Sequence, residues 1–211
     1  MNDLIVRKTG KAGHVTLNRP KALNALTHQM CLDLELAMID WVGDDDVGLL
    51  LIEAAGKKAF CAGGDIVSIY NAGKSGQVEN ALKFWRDEYR LNHAISTYSK
   101  PYVAIMDGIV MGGGVGISAH GSHRVVTERT MFAMPECAIG LIPDVGGTYL
   151  LGKMPGSCGE YAGVTGARLT GADCIYAGLA DYFVPSDKLD DLKAALLDAG
   201  DVAVLQEFAI V

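Results

Sequence analysis

Hydrophobic and polar positions along the chain fall into two kinds of segment. Short runs in which nearly every residue is apolar, "VGLLLIEA" (47–54) and "PYVAIM" (101–106), have strand length and read as strands buried on both faces. Elsewhere apolar residues recur at three- and four-residue intervals. Met30, Leu34, Met38 and Trp41 form one such stripe, predicting a helix capped by Asn24 or Thr27 and running to about Trp41. A long helix is predicted from about Gln77 to Ser99, closed by Lys100 and Pro101 because proline disfavours helix in the residue before it. "LIVR" and "HVTLN" near the N-terminus read as two strands joined by a glycine turn at Gly10 to Gly13.

The second half continues the alternation. "HRVVT", "MFAMPE" and "YFVP" predict strands; helices are expected near Val145 to Lys153, in "SCGEYAGVTG" and "TGADCIYAGLA", and in "DKLDDLKAALLDA". "GKKAFCAGGDI" (56–66) is expected to be a loop. The final "GDVAVLQEFAIV" is apolar but unpatterned, and is expected to pack on another part of the protein or on a partner chain. Strands alternating with helices across short turns imply an α/β architecture with a parallel sheet. A length of 211 residues suits one domain, or one and a half.

Composition narrows the function classes. The apolar fraction of 50% is ample for a core, and the net charge of −7 comes with no compensating basic run, so nucleic-acid binding is not expected. Five scattered cysteines without a CxxC argue for a reducing compartment and against a disulfide framework or zinc site. No apolar segment reaches the ~18 residues of a membrane helix, and "MNDLIVRKTG" does not read as a signal peptide. The expectation is a cytoplasmic protein with no metal and no membrane partner.

Two glycine-bearing turns each follow an apolar strand: "FCAGGDI" after "VGLLLIEA", and "MGGGVG" after "PYVAIM". Tight strand-to-helix turns leave backbone N–H groups unpaired, and two that converge form an oxyanion hole. The plainer reading is that these glycines only allow close helix-on-strand packing. In "AMPECAIGLIPDVGGT", Glu136 and Asp144 each follow a proline, eight residues apart. Two such acids can divide the roles of base or nucleophile and of acid or orienter. Alternatively each stabilises a helix N-terminus, a strong reading for Asp144, and Glu88 alone reads as a solvated helix residue. "GVGISA" matches a dinucleotide pattern but leaves too short a helix before Glu128; "GISAH" has His120 where a nucleophile elbow needs glycine; His120 and His123 form an HxxH without a companion acid, read as a turn.

"AFCAGGDI", "KPYVAIMDGIVMGGGVGIS", "TMFAMPECAIGLIPDVGGTYLL" and "LTGADCIYAGLADYFVP" together resemble the crotonase, or enoyl-CoA hydratase/isomerase, superfamily from about residue 4 to residue 190. The resemblance implies an α/β, ClpP-like spiral of ββα turns binding a coenzyme A thioester. Its oxygen would be held by the amides of Gly64 and Gly113, with Ala62, Asp65 and Ile66 against the coenzyme. A crotonase-fold domain over 1–190 and a shortened C-terminal helix and tail over 191–211 are expected. Hydratases of this superfamily carry a first catalytic glutamate two residues after the glycine triplet, where this chain has Gly116, and a second where it has Glu136. "DEYRLN", "HGSHRVVTERTMFAMPE" and "GLIPDVGG" are instead similar to the branch that hydrolyses 3-hydroxyisobutyryl-CoA in valine catabolism. That likeness implies catalytic roles for Glu136 and Asp144 and substrate contacts from Glu88, Gly113, Glu136 and Asp144. No cofactor is implied beyond the substrate's own coenzyme A.

Members of that branch continue well past the point where this sequence stops, so much of the C-terminal helical region is expected to be missing, by genuine shortening or because the chain is a fragment or processed product. Trimer-based self-association is the superfamily's habit. The competing expectations are an enoyl-CoA hydratase or isomerase working through Glu136, a non-catalytic acyl-CoA-binding protein and, more remotely, a dinucleotide-dependent oxidoreductase.

Overall fold

Gly10, at φ +56°, reverses the first strand, β1 (Leu4–Thr9), into antiparallel β2 (Ala12–Leu17) in the computed structural model, which describes residues 2–210. Gly13 lies beyond the turn, inside β2, and its missing side chain is filled by the Trp41 indole, into which a Cβ would project. Helix α1 (His28–Val42) carries that indole. It is capped by Thr27, whose hydroxyl accepts from Met30 N at 3.2 Å, and it buries Met30, Leu34, Met38 and Trp41. Asn24 does something else, at φ +55°: its amide donates to the Ala55 and Ala59 carbonyls at 3.0 and 2.8 Å, tying the loop before α1 to strand ends. Gly13→Ala is expected to cost about 1–3 kcal/mol through overpacking, read as a lower denaturation midpoint with an unchanged slope.

Two sheets run through the molecule. Strands β3 (Leu49–Ala54), β5 (Tyr102–Met106), β7 (His123–Val126) and β10 (Tyr182–Phe183) continue the first in the order β1-β2-β3-β5-β7-β10, parallel from β2 onward. Strands β4 (Ala59–Cys61), β6 (Ile109–Met111), β8 (Met131–Ala133) and β9 (Leu169–Thr170) make the second. After each of β3, β5 and β7 the chain crosses to the second sheet for β4, β6 or β8. It then returns through helix after the first two: α2 (Ile66–Lys74) with α3 (Val78–Ser96), then α4 (Gly113–Gly116). This is a spiral of ββα turns.

Period-two burial explains why the central strands read as continuous apolar runs. Leu50 and Ile52 face the core under α1 and α3, whereas Leu49 and Leu51 join Val103, Ile105 and Val125 on the opposite face. That face is covered by α8 (Leu189–Ala199) through Leu189, Leu192 and Leu196. The tail packs there too: α9 (Leu205–Phe208) buries Leu205, and Ile210 N donates to the Phe183 carbonyl at 2.9 Å. Of the two places expected for it, the tail therefore takes the chain's own sheet.

Residues 56–66 are not all loop. Ala59, Phe60 and Cys61 are buried and pair with β6, a partner about fifty residues away that no local pattern reveals. Helix α2, also within and after that stretch, buries no residue completely and leaves Val67 and Tyr70 exposed, so its sequence carries no clean apolar stripe. The helix expected from Val145 is shorter, α5 (Gly147–Leu151), because Val145 and Gly146 have φ of +46° and +76°. Two short helices, α6 (Cys158–Thr165) and α7 (Gly171–Tyr176), complete the second half.

Candidate active site

The turns after β4 and β6 lie side by side. Gly63, at φ +112°, bends the first; Leu26 pins it from outside, its N–H donating to the Gly63 carbonyl and its carbonyl accepting from Asp65 N, both at 2.8 Å. Gly112, at φ +49°, bends the second into α4. A Cβ on Gly63 would lie 3.8 Å from Gly113 N, and one on Gly113 would lie 3.2 Å from Gly64 N. Among the described residues neither the Gly64 nor the Gly113 N–H donates a hydrogen bond. Two free amides thus stand together, one of them at the first residue of a helix, where an oxygen gaining negative charge is favoured.

Three carboxyl groups surround them. Glu88 projects from α3, is 2% exposed, and has a buried Oε1 without a partner. Burial, reinforced by the negative charges of Asp144 and Glu136, pushes it up to about 8. Glu136 begins a single 3₁₀ turn (Glu136–Ile139) behind Pro135, and its buried Oε2 is also unpartnered. Burial pushes it up to about 7, with Asp144 adding to the effect. Its other oxygen, Oε1, would stand 2.9 Å from a Cβ on Gly112, so the carboxylate lies against the glycine turn. Asp144 is half-exposed and accepts from the Tyr89 hydroxyl at 2.7 Å. Burial and that bond hold the Tyr89 phenol above its ordinary range.

A cavity of about 210 Å³ collects these groups: Ala62, Gly64, Ile66, Glu88, Gly113, Glu136 and Asp144 all line it. It shares Trp85, Leu141 and Asp144 with a second cavity of about 510 Å³ lined also by Tyr89 and Ile142. Asp65 points elsewhere. Its carboxylate pairs with Arg19 at 2.9 Å, caps α2 by accepting from Ser68 N, and borders a separate hollow between α2 and α3. Asp144 does not cap α5, whose N-cap is Gly146; it accepts through its main-chain oxygen from Gly147 N.

Gly116 has no room for a side chain. A Cβ there would be 2.8 Å from both Asn92 Nδ2 and Val145 Cβ, so the position where a hydratase carries its first glutamate is filled from α3 and from the Asp144 turn. Among residues that sequence reasoning left out, Trp85 and Tyr89 line the cavities and Asn92 packs against Gly116. The first two could have been found, since Trp85, Glu88 and Tyr89 share one helix face at three- and four-residue spacing. Ser118 is buried and donates to the Gly114 carbonyl at 2.7 Å, which leaves no exposed hydroxyl for an elbow. Among the described residues no three His, Cys, Asp or Glu side chains gather as a metal site.

A ββα spiral with paired glycine turns defines an α/β protein of the crotonase fold. The chain matches the enoyl-CoA hydratase/isomerase family over residues 12–209, and it belongs to that family. It is 50% identical over 197 residues to the mitochondrial 3-hydroxyisobutyryl-CoA hydrolase of Danio rerio, covering 93% of this chain and 51% of that one. Two solved structures are similarly related. A carnitinyl-CoA dehydratase from Mycobacterium thermoresistibile is 51% identical with a TM-score of 0.97 over 100% of this chain and 62% of its own. An enoyl-CoA hydratase from Rhodobacter sphaeroides is 49% identical with a TM-score of 0.91 over 94% of this chain and 59% of its own. The chain spans about half the length of the curated relatives it matches.

Proposed function

We propose that the chain carries the site of an acyl-CoA thioester hydrolase acting on short 3-hydroxyacyl groups such as 3-hydroxyisobutyryl. The observation that carries this reading is one cavity with two unpartnered amides and Glu136, while Gly116 cannot hold the first acid of a water-adding pair. The likeness to 3-hydroxyisobutyryl-CoA hydrolases supports the choice of acyl group.

In this mechanism the Gly64 and Gly113 amides polarise the thioester carbonyl. A Glu136 carboxylate oxygen bonds to the carbonyl carbon, the oxyanion rests on the two amides, and collapse breaks the carbon–sulfur bond. The thiolate takes up a proton, and water then cleaves the acyl anhydride, returning Glu136. In the general-base variant Glu136 takes a proton from water, the resulting hydroxide attacks, and that proton passes to the departing sulfur. Glu88, protonated at neutral pH because it is pushed up to about 8, is a donor at the acyl end. Asp144, fixed by Tyr89, would receive the 3-hydroxyl or manage the proton going to sulfur.

A second reading, hydratase or dehydratase chemistry through Glu136, is favoured by the names of the two solved relatives. Separate incubations with 3-hydroxyisobutyryl-CoA and crotonyl-CoA discriminate. Free coenzyme A is followed by chromatography, since exposed Cys137 and Cys158 would consume a thiol reagent, and the enoyl absorbance is followed in parallel. Coenzyme A release from the hydroxyacyl substrate alone is expected. Enoyl loss without release would overturn the hydrolase reading, and binding without either would leave an acyl-CoA-binding protein.

A further inference from the structure

His120 belongs to a histidine pair that the proposed chemistry does not use, yet it reaches Asp144 through one residue. Its Nε2 lies 2.7 Å from the Val145 carbonyl oxygen. A carbonyl oxygen only accepts, so Nε2 carries the hydrogen. The accepting residue is unusual: Val145 is β-branched, 2% exposed, and held at φ +46°, a region such side chains avoid. A strained backbone of this kind persists only where its surroundings over-determine it.

Three restraints do so here. The Val145 side chain is wedged against Gly116, whose Cβ would stand 2.8 Å away. Gly147 N donates to the Asp144 carbonyl at 2.6 Å, closing the turn from the other side. His120 supplies the third restraint, from a turn itself fixed by Ala119 N to the Val115 carbonyl and Gly121 N to the Ser118 carbonyl. Its ring also lies on the Gly146 backbone, where a Cβ would be 2.7 Å from Cε1 and Nε2. Residue 144 immediately precedes this clamp, and its carboxylate faces the cavity and Tyr89.

We propose that His120 is a positioning residue: its Nε2–H holds the Val145 carbonyl and so keeps the Asp144 carboxylate at the rim of the cavity. The consequence for turnover rests on the hydrolase reading above; the consequence for geometry does not. His120→Phe keeps a ring and loses the donor, while His120→Gln keeps an N–H donor. Displacing a catalytic group by about an ångström costs up to roughly 100-fold. His120→Phe is therefore expected to lower kcat for 3-hydroxyisobutyryl-CoA by about 10- to 100-fold with KM within about twofold, and His120→Gln to recover most of it.

A double-mutant cycle separates positioning from general destabilisation. In an Asp144→Asn background His120→Phe should cost less than about twofold further, because the group it positions is already disabled. Full additivity, or a kcat unchanged in His120→Phe, would overturn the proposal. Should His120→Phe fail to fold, the cycle is run with His120→Gln and His120→Asn, the shorter amide being expected to fall short of the carbonyl and lose activity. If the unaltered chain releases no coenzyme A, the hydrolase reading fails by itself and crystal structures of the variants decide on His120. Val145 leaving positive φ and Asp144 leaving hydrogen-bond distance of Tyr89 would support the role; an unchanged turn would overturn it.

Discussion

On the proposed hydrolase reading, Glu136→Gln is expected to lower coenzyme A release from 3-hydroxyisobutyryl-CoA by about 10²–10⁴-fold while acyl-CoA binding stays within a few-fold of the unaltered chain. Either route to cleavage needs an ionised oxygen at this position, as nucleophile or as base, and an amide provides neither. The substitution is nearly isosteric, so the cavity shape and the two glycine amides are retained. The pH profile identifies the group. With Glu136 pushed up to about 7, kcat/KM is expected to rise tenfold per pH unit below that value and to level off above it, because the proposed mechanism uses the deprotonated form. Loss of that limb in Glu136→Gln would tie it to this residue; turnover retained at a tenth or more of the original would remove Glu136 from the mechanism.

The same profile is expected to have a second limb. Glu88, pushed up to about 8, can donate only while protonated, so on the proposed mechanism activity is expected to fall again at higher pH. The three acids share one cavity, and the negative charge of Asp144 helps to raise both Glu88 and Glu136, so the two limbs report the cluster rather than isolated groups. Environment thereby separates acids that look alike in sequence. Glu88 is buried and unpartnered at Oε1, Glu136 is buried against a glycine turn, and Asp144 is half-exposed with a hydroxyl donor.

What could be read from sequence was whatever local patterning determines. The Thr27 cap, the α1 stripe and the doubly buried strands β3 and β5 stand where spacing put them, because each depends on residues within a few positions of one another. The two glycine turns follow the short strands β4 and β6 rather than β3 and β5 directly. Strand β4 escaped because three residues are too few to show alternation and their partner lies in β6. Helix α2 escaped because it buries no complete face. At the site, residue types were legible but their company was not. Nothing in "DEYRLN" says that Asn92 fills the space beside Gly116, and local preference argues against a valine at φ +46°. The histidine that holds that valine lies twenty-five residues away in sequence. Such features come from tertiary packing that overrides propensity, and they gather around the candidate site.

Gly113→Ala is the sharpest test of the paired amides. Gly113 does not have positive φ and starts a helix, so alanine costs nothing in backbone conformation and favours helix by about 0.5–1 kcal/mol. The penalty is spatial. The new methyl would overlap Glu88 Oε1 and stand 3.2 Å from Gly64 N and 3.3 Å from Leu26 Cδ1, inside the space an oxyanion needs. Losing one such donor elsewhere costs about 2.7–4 kcal/mol, so kcat should fall about 10²–10³-fold with the thermal midpoint within a few degrees of the parent. A companion variant separates the two clashes. In a Glu88→Ala background the overlap with Oε1 is gone but the methyl still stands beside Gly64 N, so Gly113→Ala should lower turnover well below that of Glu88→Ala alone. Equal turnover in Glu88→Ala and in the double variant would mean that Gly113 is glycine to accommodate Glu88, and that the thioester oxygen is stabilised elsewhere.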